Sequence, residues 1–176
     1  SVAGGIPIIK ALREGLCANR IESIYGILNG TCNYILTRME DEHLPFDEVL
    51  KAAQAAGYAE AEPSLDIDGH DTAHKAAVLA SLAYGCNVPL EKVQVSGIRG
   101  LAAADIAYAA EMGYRIKLLA IIQGGADGVE VSVQPTLVEH GHQLAAVAGV
   151  FNAVLVKGDI VGTTLYYGRG AGRAAT

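Results

Sequence analysis

The stretch richest in groups suited to acid–base work is Tyr58-Ala59-Glu60-Ala61-Glu62-Pro63-Ser64-Leu65-Asp66-Ile67-Asp68-Gly69-His70-Asp71, with His74 and Lys75 just beyond. Five carboxylates fall in it and no apolar periodicity organises it, so 58–70 reads as an acidic loop feeding a helix. Asp71 and Lys75 are four residues apart and share one face of that helix. Lysines are seldom buried unless paired, and here the partner is built in. An ammonium held by a carboxylate beside a low-dielectric cleft is a general acid for an oxygen on which charge develops. The neighbouring carboxylates suit a substrate with a positive group, such as an amino acid's α-ammonium. Two plainer readings use the same residues. An i,i+4 Asp–Lys pair on a solvated face contributes only about 0.3–0.5 kcal/mol. Asp66-x-Asp68-Gly69-x-Asp71 also has a faint likeness to a calcium loop, although it lacks the bidentate Glu such loops require. Spacing alone leaves these readings open.

Other candidates are weaker. The run Gly168-Arg169-Gly170-Ala171-Gly172 lets backbone approach a phosphate or nicotinamide closely, but no helix and acidic residue follow it as a dinucleotide fingerprint requires. His43, His70, His74, His140 and His142 have no metal-ligand spacing. His74 points to a different helix face from Lys75. Cys17, Cys32 and Cys86 make neither a CxxC nor a zinc pattern. They read as reduced, mostly buried thiols of a cytoplasmic protein.

The elements that must position this chemistry alternate irregularly. Pro7 opens a helix over 7–18. A strand over 21–28 ends at the turn Asn29-Gly30, and Thr31 caps a helix running to about Glu42. Residues 45–56 form a helix stopped by Gly57, and 71–84 a largely apolar, buried helix stopped by Gly85. A shorter helix covers 102–112, and a short one fits 143–147. Strands are expected at 114–123, 129–134, 153–157 and 163–167, with turns at 124–128 and at Gly158-Asp159. No strand–GxGxxG–helix unit exists. The expected class is α+β, an open mixed β-sheet with helices packed on one face.

Composition bounds the partners. Over 176 residues, 51% are hydrophobic, which excludes a disordered chain. A formal net charge of -6 without a basic, aromatic-interleaved stripe argues against nucleic acid. No apolar run reaches the roughly 18–20 residues of a membrane span, and Ser1–Pro7 has no basic n-region of a signal peptide. Both ends read like the middle of loops, and further chain is expected on each side.

Taken together the motifs resemble homoserine dehydrogenase along nearly the whole chain. The resemblance rests on Ala3-Gly4-Gly5-Ile6-Pro7-Ile8-Ile9, on Ile27-Leu28-Asn29-Gly30-Thr31-Cys32-Asn33-Tyr34-Ile35-Leu36, and on Gly57-Tyr58-Ala59-Glu60-Ala61-Glu62-Pro63 through Asp66, Gly69, Asp71 and Lys75. It extends through Gln134–Leu137, Gly149–Ala153 and the glycine run Gly168–Gly172. Several blocks in the right order are far more specific than any one of them. The resemblance implies NAD- or NADP-dependent interconversion of L-aspartate 4-semialdehyde and L-homoserine. In that reading Lys75 donates the proton to the carbonyl oxygen, and Asp71 orients Lys75 and touches the same oxygen. Glu60 and Asp66 hold the substrate amino group, while Gly170 and Gly172 lie against the cofactor. Backbone carbonyls of Val2, Gly4 and Ile6 hold a sodium ion, whose acidic ligand in the family would precede Ser1. Residues 1–176 correspond to the catalytic, substrate-binding and dimerisation domain. The nucleotide-binding domain is absent from the chain, so the chain alone is expected to be nearly inactive and to form a homodimer. Competing readings are a non-catalytic dimerisation or regulatory module of the same fold, and an aspartate-semialdehyde dehydrogenase. The latter would need an activated cysteine.

Overall fold

Residues 1–126 and 128–170 are described by a computed structural model of the chain. A single turn, α1 (Ile8–Lys10), runs into a π-helical turn at Ala11–Gly15, shorter than the helix expected over 7–18. Strand β1 (Ile21–Ile27) follows, then α2 (Gly30–Glu42), α3 (Phe46–Ala55), the one-turn α4 (Ser64–Ile67) and α5 (His70–Tyr84). A 3-10 turn at Leu90–Lys92 leads to the short strand β2 (Gln94–Val95) and to α6 (Ala103–Glu111). Then come β3 (Tyr114–Gly125), β4 (Gly128–Glu139), β5 (Phe151–Gly158) and β6 (Gly162–Arg169), with a 3-10 turn at Gln143–Ala146 before β5.

The six strands form one sheet in the order β2-β4-β3-β1-β5-β6. All pairs are antiparallel except β2 with β4, so the open mixed sheet expected from the irregular order of elements is present. Strand alternation divides its side chains between two faces. Leu118, Ala120 and Ile122 of β3, with Val154 and Val156 of β5, point into the main core. That core also takes Cys32, Ile35, Leu36 and Met39 of α2 and Ala73, Ala76, Leu79 and Ala80 of α5. Leu119 of β3 with Ala153 and Leu155 of β5 face the other way, into a smaller cluster closed by Leu144, Ala145 and Val147. No α-helical residue belongs to that second cluster among the described residues, so the helices pack on one face.

Several boundaries differ from the sequence reading for local reasons. Asn29 rather than Thr31 caps α2: its side-chain oxygen accepts from the Cys32 N–H at 2.8 Å. Asn is among the best residues at that position. Thr31, the second residue of α2, is buried, and its hydroxyl donates to the Tyr58 carbonyl at 2.6 Å. The acidic stretch is not wholly a loop, because α4 places Asp66 on a helical turn. β4 runs through Pro135, where the short β2, paired only at Ser132 and Val133, no longer needs an N–H from it. β5 starts at Phe151 and so takes Asn152 into the sheet. Gly85 ends α5 in the left-handed conformation, as expected, at φ 66°. Among the described residues the three cysteines are free, but Cys17 and Cys86 are exposed and only Cys32 is buried.

Candidate active site

The site forms where the first turns of α2 and α5 meet α4 and the end of β1. Asn29, fixed as the α2 cap, turns its side-chain N–H₂ outward to two carboxylates. It donates to Asp66 Oδ1 at 2.7 Å and to Asp71 Oδ2 at 2.9 Å. The same Asp71 Oδ2 accepts from Lys75 Nζ at 2.5 Å, so the i,i+4 spacing does bring the pair together. Lys75 Nζ also donates to the Leu28 carbonyl at 3.1 Å, and Asn152 Nδ2 donates to that carbonyl at 3.2 Å. One hydrogen-bonded chain therefore runs Asp66–Asn29–Asp71–Lys75–Leu28–Asn152.

Burial gives this chain its character. The Asp71 and Lys75 side chains are 23% and 21% exposed, far from the fully solvated pair of the plainer reading. Asp71 also lies in the first turn of α5, where the helix dipole favours an anion. Burial pushes the Asp66 carboxyl up from its ordinary value, opposed by the Asn29 hydrogen bond; the Asp71 charge reinforces the rise. Glu60 stands exposed and outside the hydrogen-bonded chain, yet close enough for its charge to raise Asp66 further. With two acceptors among the described residues, the Lys75 ammonium keeps a third N–H with which to protonate or hold an oxygen.

Neighbouring groups complete the picture. Arg99 donates to both oxygens of Asp68, at 2.8 and 2.9 Å, and to Ser64 Oγ at 3.0 Å; Ser64 in turn donates to Glu62. Asp68 is thereby committed to an arginine and Asp66 and Asp71 to Asn29, and no group of three metal-ligating side chains is gathered among the described residues. His74 is exposed and not part of the cluster. Burial raises the Cys32 thiol well above its ordinary value, with the Asp66 and Asp71 charges adding to the effect, so Cys32 is not a ready nucleophile.

The remaining expected residues fall at the chain's two ends. Gly170 N donates to the Val150 carbonyl at 3.0 Å, and a Cβ there would overlap the side-chain amide of Asn152. Gly172 lies outside the described residues. Val2, Gly4 and Ile6 sit on a turn in which Ala3 and Gly4 are left-handed, and the Ile6 carbonyl accepts from the Ile8 N–H at 2.8 Å. A cavity of about 980 Å³ beside Tyr84, Asn87 and Pro89 lies at the far end of α5 and contains none of these groups.

Sequence reasoning missed Asn29, Asn152 and Lys117. Asn29 was legible as a helix cap but was read as a turn residue. Asn152 lay within the family-like block Gly149–Ala153, but nothing in its spacing assigned it a role. Lys117 sits in the apolar run of β3 and is 2% exposed, its Nζ donating to the Val147 carbonyl at 2.7 Å and to Asn33 Oδ1 at 3.3 Å.

Comparison with known proteins bears on this arrangement. A family model described as homoserine dehydrogenase matches residues 7–176. The chain is 56% identical to a homoserine dehydrogenase of Synechocystis over 180 residues, covering all of this chain and 42% of that protein. The crystal structure of a homoserine dehydrogenase from Thiobacillus denitrificans is similar with a TM-score of 0.96 and 55% identity, covering 99% of this chain and 40% of that one. A hyperthermophilic archaeal homoserine dehydrogenase mutant, solved in complex with NADPH, matches with a TM-score of 0.83 and 31% identity over 99% of this chain and 50% of its own. The chain thus spans about two-fifths of the length of the curated relatives it matches.

Proposed function

We propose, for a chain that belongs to the homoserine dehydrogenase family, that it supplies the substrate-binding and proton-transfer half of that enzyme. The reaction is the interconversion of L-aspartate 4-semialdehyde and L-homoserine, within cytoplasmic biosynthesis of threonine, methionine and isoleucine. The observation that carries this reading is the continuous chain Asp66–Asn29–Asp71–Lys75, in which a carboxylate-paired lysine keeps one N–H for a substrate oxygen. NADP or NAD, when bound, supplies or accepts the hydride at the reacting carbon. Lys75 gives its proton to the oxygen on which negative charge develops, and its ammonium stabilises that charge beforehand. Asp71 pairs with Lys75 and aims it. Asp66 and Glu60 take the substrate ammonium. The cofactor belongs beside Gly170 and Gly172; Gly170 lies against Asn152, whose amide shares a carbonyl with Lys75, so this position suits the group.

The dinucleotide-binding part lies outside these 176 residues in this proposal. A monovalent cation such as sodium would be held by the neutral backbone oxygens of Val2, Gly4 and Ile6, a hard-donor set suited to it. The helix-free sheet face is the surface for a homodimer. Tyr25 and Ile121 border its apolar cluster, and the β6 residues paired with Leu155 and Ala153, Leu165 and Tyr167, are 37% and 54% exposed. The test is homoserine oxidation followed by NADPH absorbance. The chain joined to a dinucleotide-binding domain turns over homoserine, whereas the 176 residues alone do not. A joined, folded protein without homoserine turnover would overturn the reading.

A further inference from the structure

Asn152 is fully buried, and its Nδ2 donates to the Leu28 carbonyl that Lys75 also uses. An ammonium has three N–H donors in fixed relation to one another. Two of those on Lys75 are taken by Asp71 Oδ2 and Leu28 O, so these two acceptors set the direction of the third. The Asp71 acceptor is held by Asn29. The Leu28 acceptor lies just past the end of β1, and what steadies it is the buried Leu28 side chain together with Asn152. On the reading of Lys75 as proton donor, we propose that Asn152 is a positioning residue: it fixes the Leu28 carbonyl and so aims the free N–H of Lys75 at the substrate oxygen.

The surroundings of Asn152 fit that task. Asn33 Nδ2 donates to the carbonyls of Gly149 and Phe151, at 3.0 and 3.2 Å, and so anchors the segment that presents it. From the other side Gly170 closes on its amide with no room for a Cβ. Asn152 Oδ1 has no hydrogen-bond partner among the described residues. An unsatisfied buried carbonyl costs stability, and an apolar side chain would remove that cost. What an apolar side chain would also remove is the N–H on Leu28. The amide is therefore placed for its donor, and the donor acts on Lys75's own acceptor.

The test reads Lys75 directly by NMR, in the chain with lysine labelled at Cε and Nζ, the signal being identified by its loss in Lys75→Arg. In the unaltered chain the two Cε protons of Lys75 are inequivalent, as in a side chain held in one rotamer. Asn152→Asp keeps the shape and turns an acceptor toward Leu28; Asn152→Ala removes the group. In both, the Lys75 Cε protons merge toward one shift while the Lys117 signals stay. Should Asn152→Ala fail to fold, Asn152→Asp decides, and Gly170→Ala, which presses on Asn152 from the other side, gives the same merging. If Lys75 stays inequivalent and only amides near Val150 and Gly170 move, Asn152 merely packs the strand end and the proposal is overturned. In the protein joined to its dinucleotide-binding part, Asn152→Asp lowers kcat for homoserine by about 10²-fold with KM little changed, the effect of a misaimed donor. Unaltered kcat would also overturn it. If Lys75→Ala itself leaves kcat unaltered, the proton-donor reading fails, and the NMR result still states whether Asn152 holds the lysine.

Discussion

Lys75 and Lys117 both donate to a backbone carbonyl, and they differ in what else they touch. Lys75 has Asp71 at 2.5 Å and opens to solvent on one side. Lys117 is sealed in the sheet with only the Val147 carbonyl and Asn33 Oδ1 as acceptors, and no carboxylate forms an ion pair with it among the described residues. Burial pushes Lys117 down to about 8, against the weaker pull of Glu40 and Asp41 and with reinforcement from Arg115. The same side chain type is thus a carboxylate-paired, partly open ammonium in one place and a costly structural tie in the other. What separates them is a built-in carboxylate and an opening to solvent. Lys117 instead joins the Val147–Phe151 segment to α2 through Asn33, which donates to the carbonyls of Val147, Gly149 and Phe151.

The largest effect that sharpens this contrast is the pH dependence of stability at Lys117. Its value in the folded chain lies below its ordinary 10.5, so between about 8 and 10.5 the unfolded state binds more protons. The burial cost is fully present below about 8 and is relieved as pH rises toward 10.5. Relative to Lys117→Met, the unaltered chain gains about 3 kcal/mol across that window. Urea titrations at several pH values measure this, and parallel pH profiles for the two proteins would erase the distinction between the lysines.

Asn29→Ala comes next. It removes a helix cap and the side chain that bridges Asp66 and Asp71, for a loss of roughly 2 kcal/mol by chemical unfolding. No measurable loss would mean that the carboxylates do not depend on the cap. Asp66→Asn acts on binding rather than stability. It raises KM for homoserine about tenfold, as expected for one charged hydrogen bond. In the unaltered protein KM rises as pH falls through the Asp66 titration, at higher pH than for an ordinary aspartate because burial raises that group. A pH-independent KM would separate Asp66 from the substrate. Arg99→Ala is the smallest change. Its ion pair with Asp68 is solvated, so the unfolding midpoint stays where it was and only the α4 amides shift in a spectrum. A clear loss of stability would show that α4 depends on that clamp.

The sequence made some of this visible and hid the rest for physical reasons. The Asp71–Lys75 pair was legible because helical spacing alone places i and i+4 side chains together. The order and type of the long elements followed from period and turn residues. What joins Asp71 to Asp66 did not, because Asn29 does two jobs at once: its oxygen caps α2 and its amide spans a turn and a helix that are 37 and 42 residues away in sequence. Asn152 and Leu28, 124 residues apart, meet only because β5 pairs with β1, a register that no local pattern encodes. Glu60 and Asp66 looked equivalent as acidic residues, yet only Asp66 enters the hydrogen-bonded chain, because α4 turns it inward.

The central claim is that Lys75 moves a proton. It is tested most directly by homoserine turnover of Lys75→Ala, in the chain joined to its dinucleotide-binding part, with and without added methylamine. Turnover falls by about 10²–10⁴-fold, as for loss of a general acid, and methylamine restores part of it in proportion to its concentration. Turnover that stays close to that of the unaltered protein would contradict the account and leave the Asp71–Lys75 pair as a structural tie like that of Lys117.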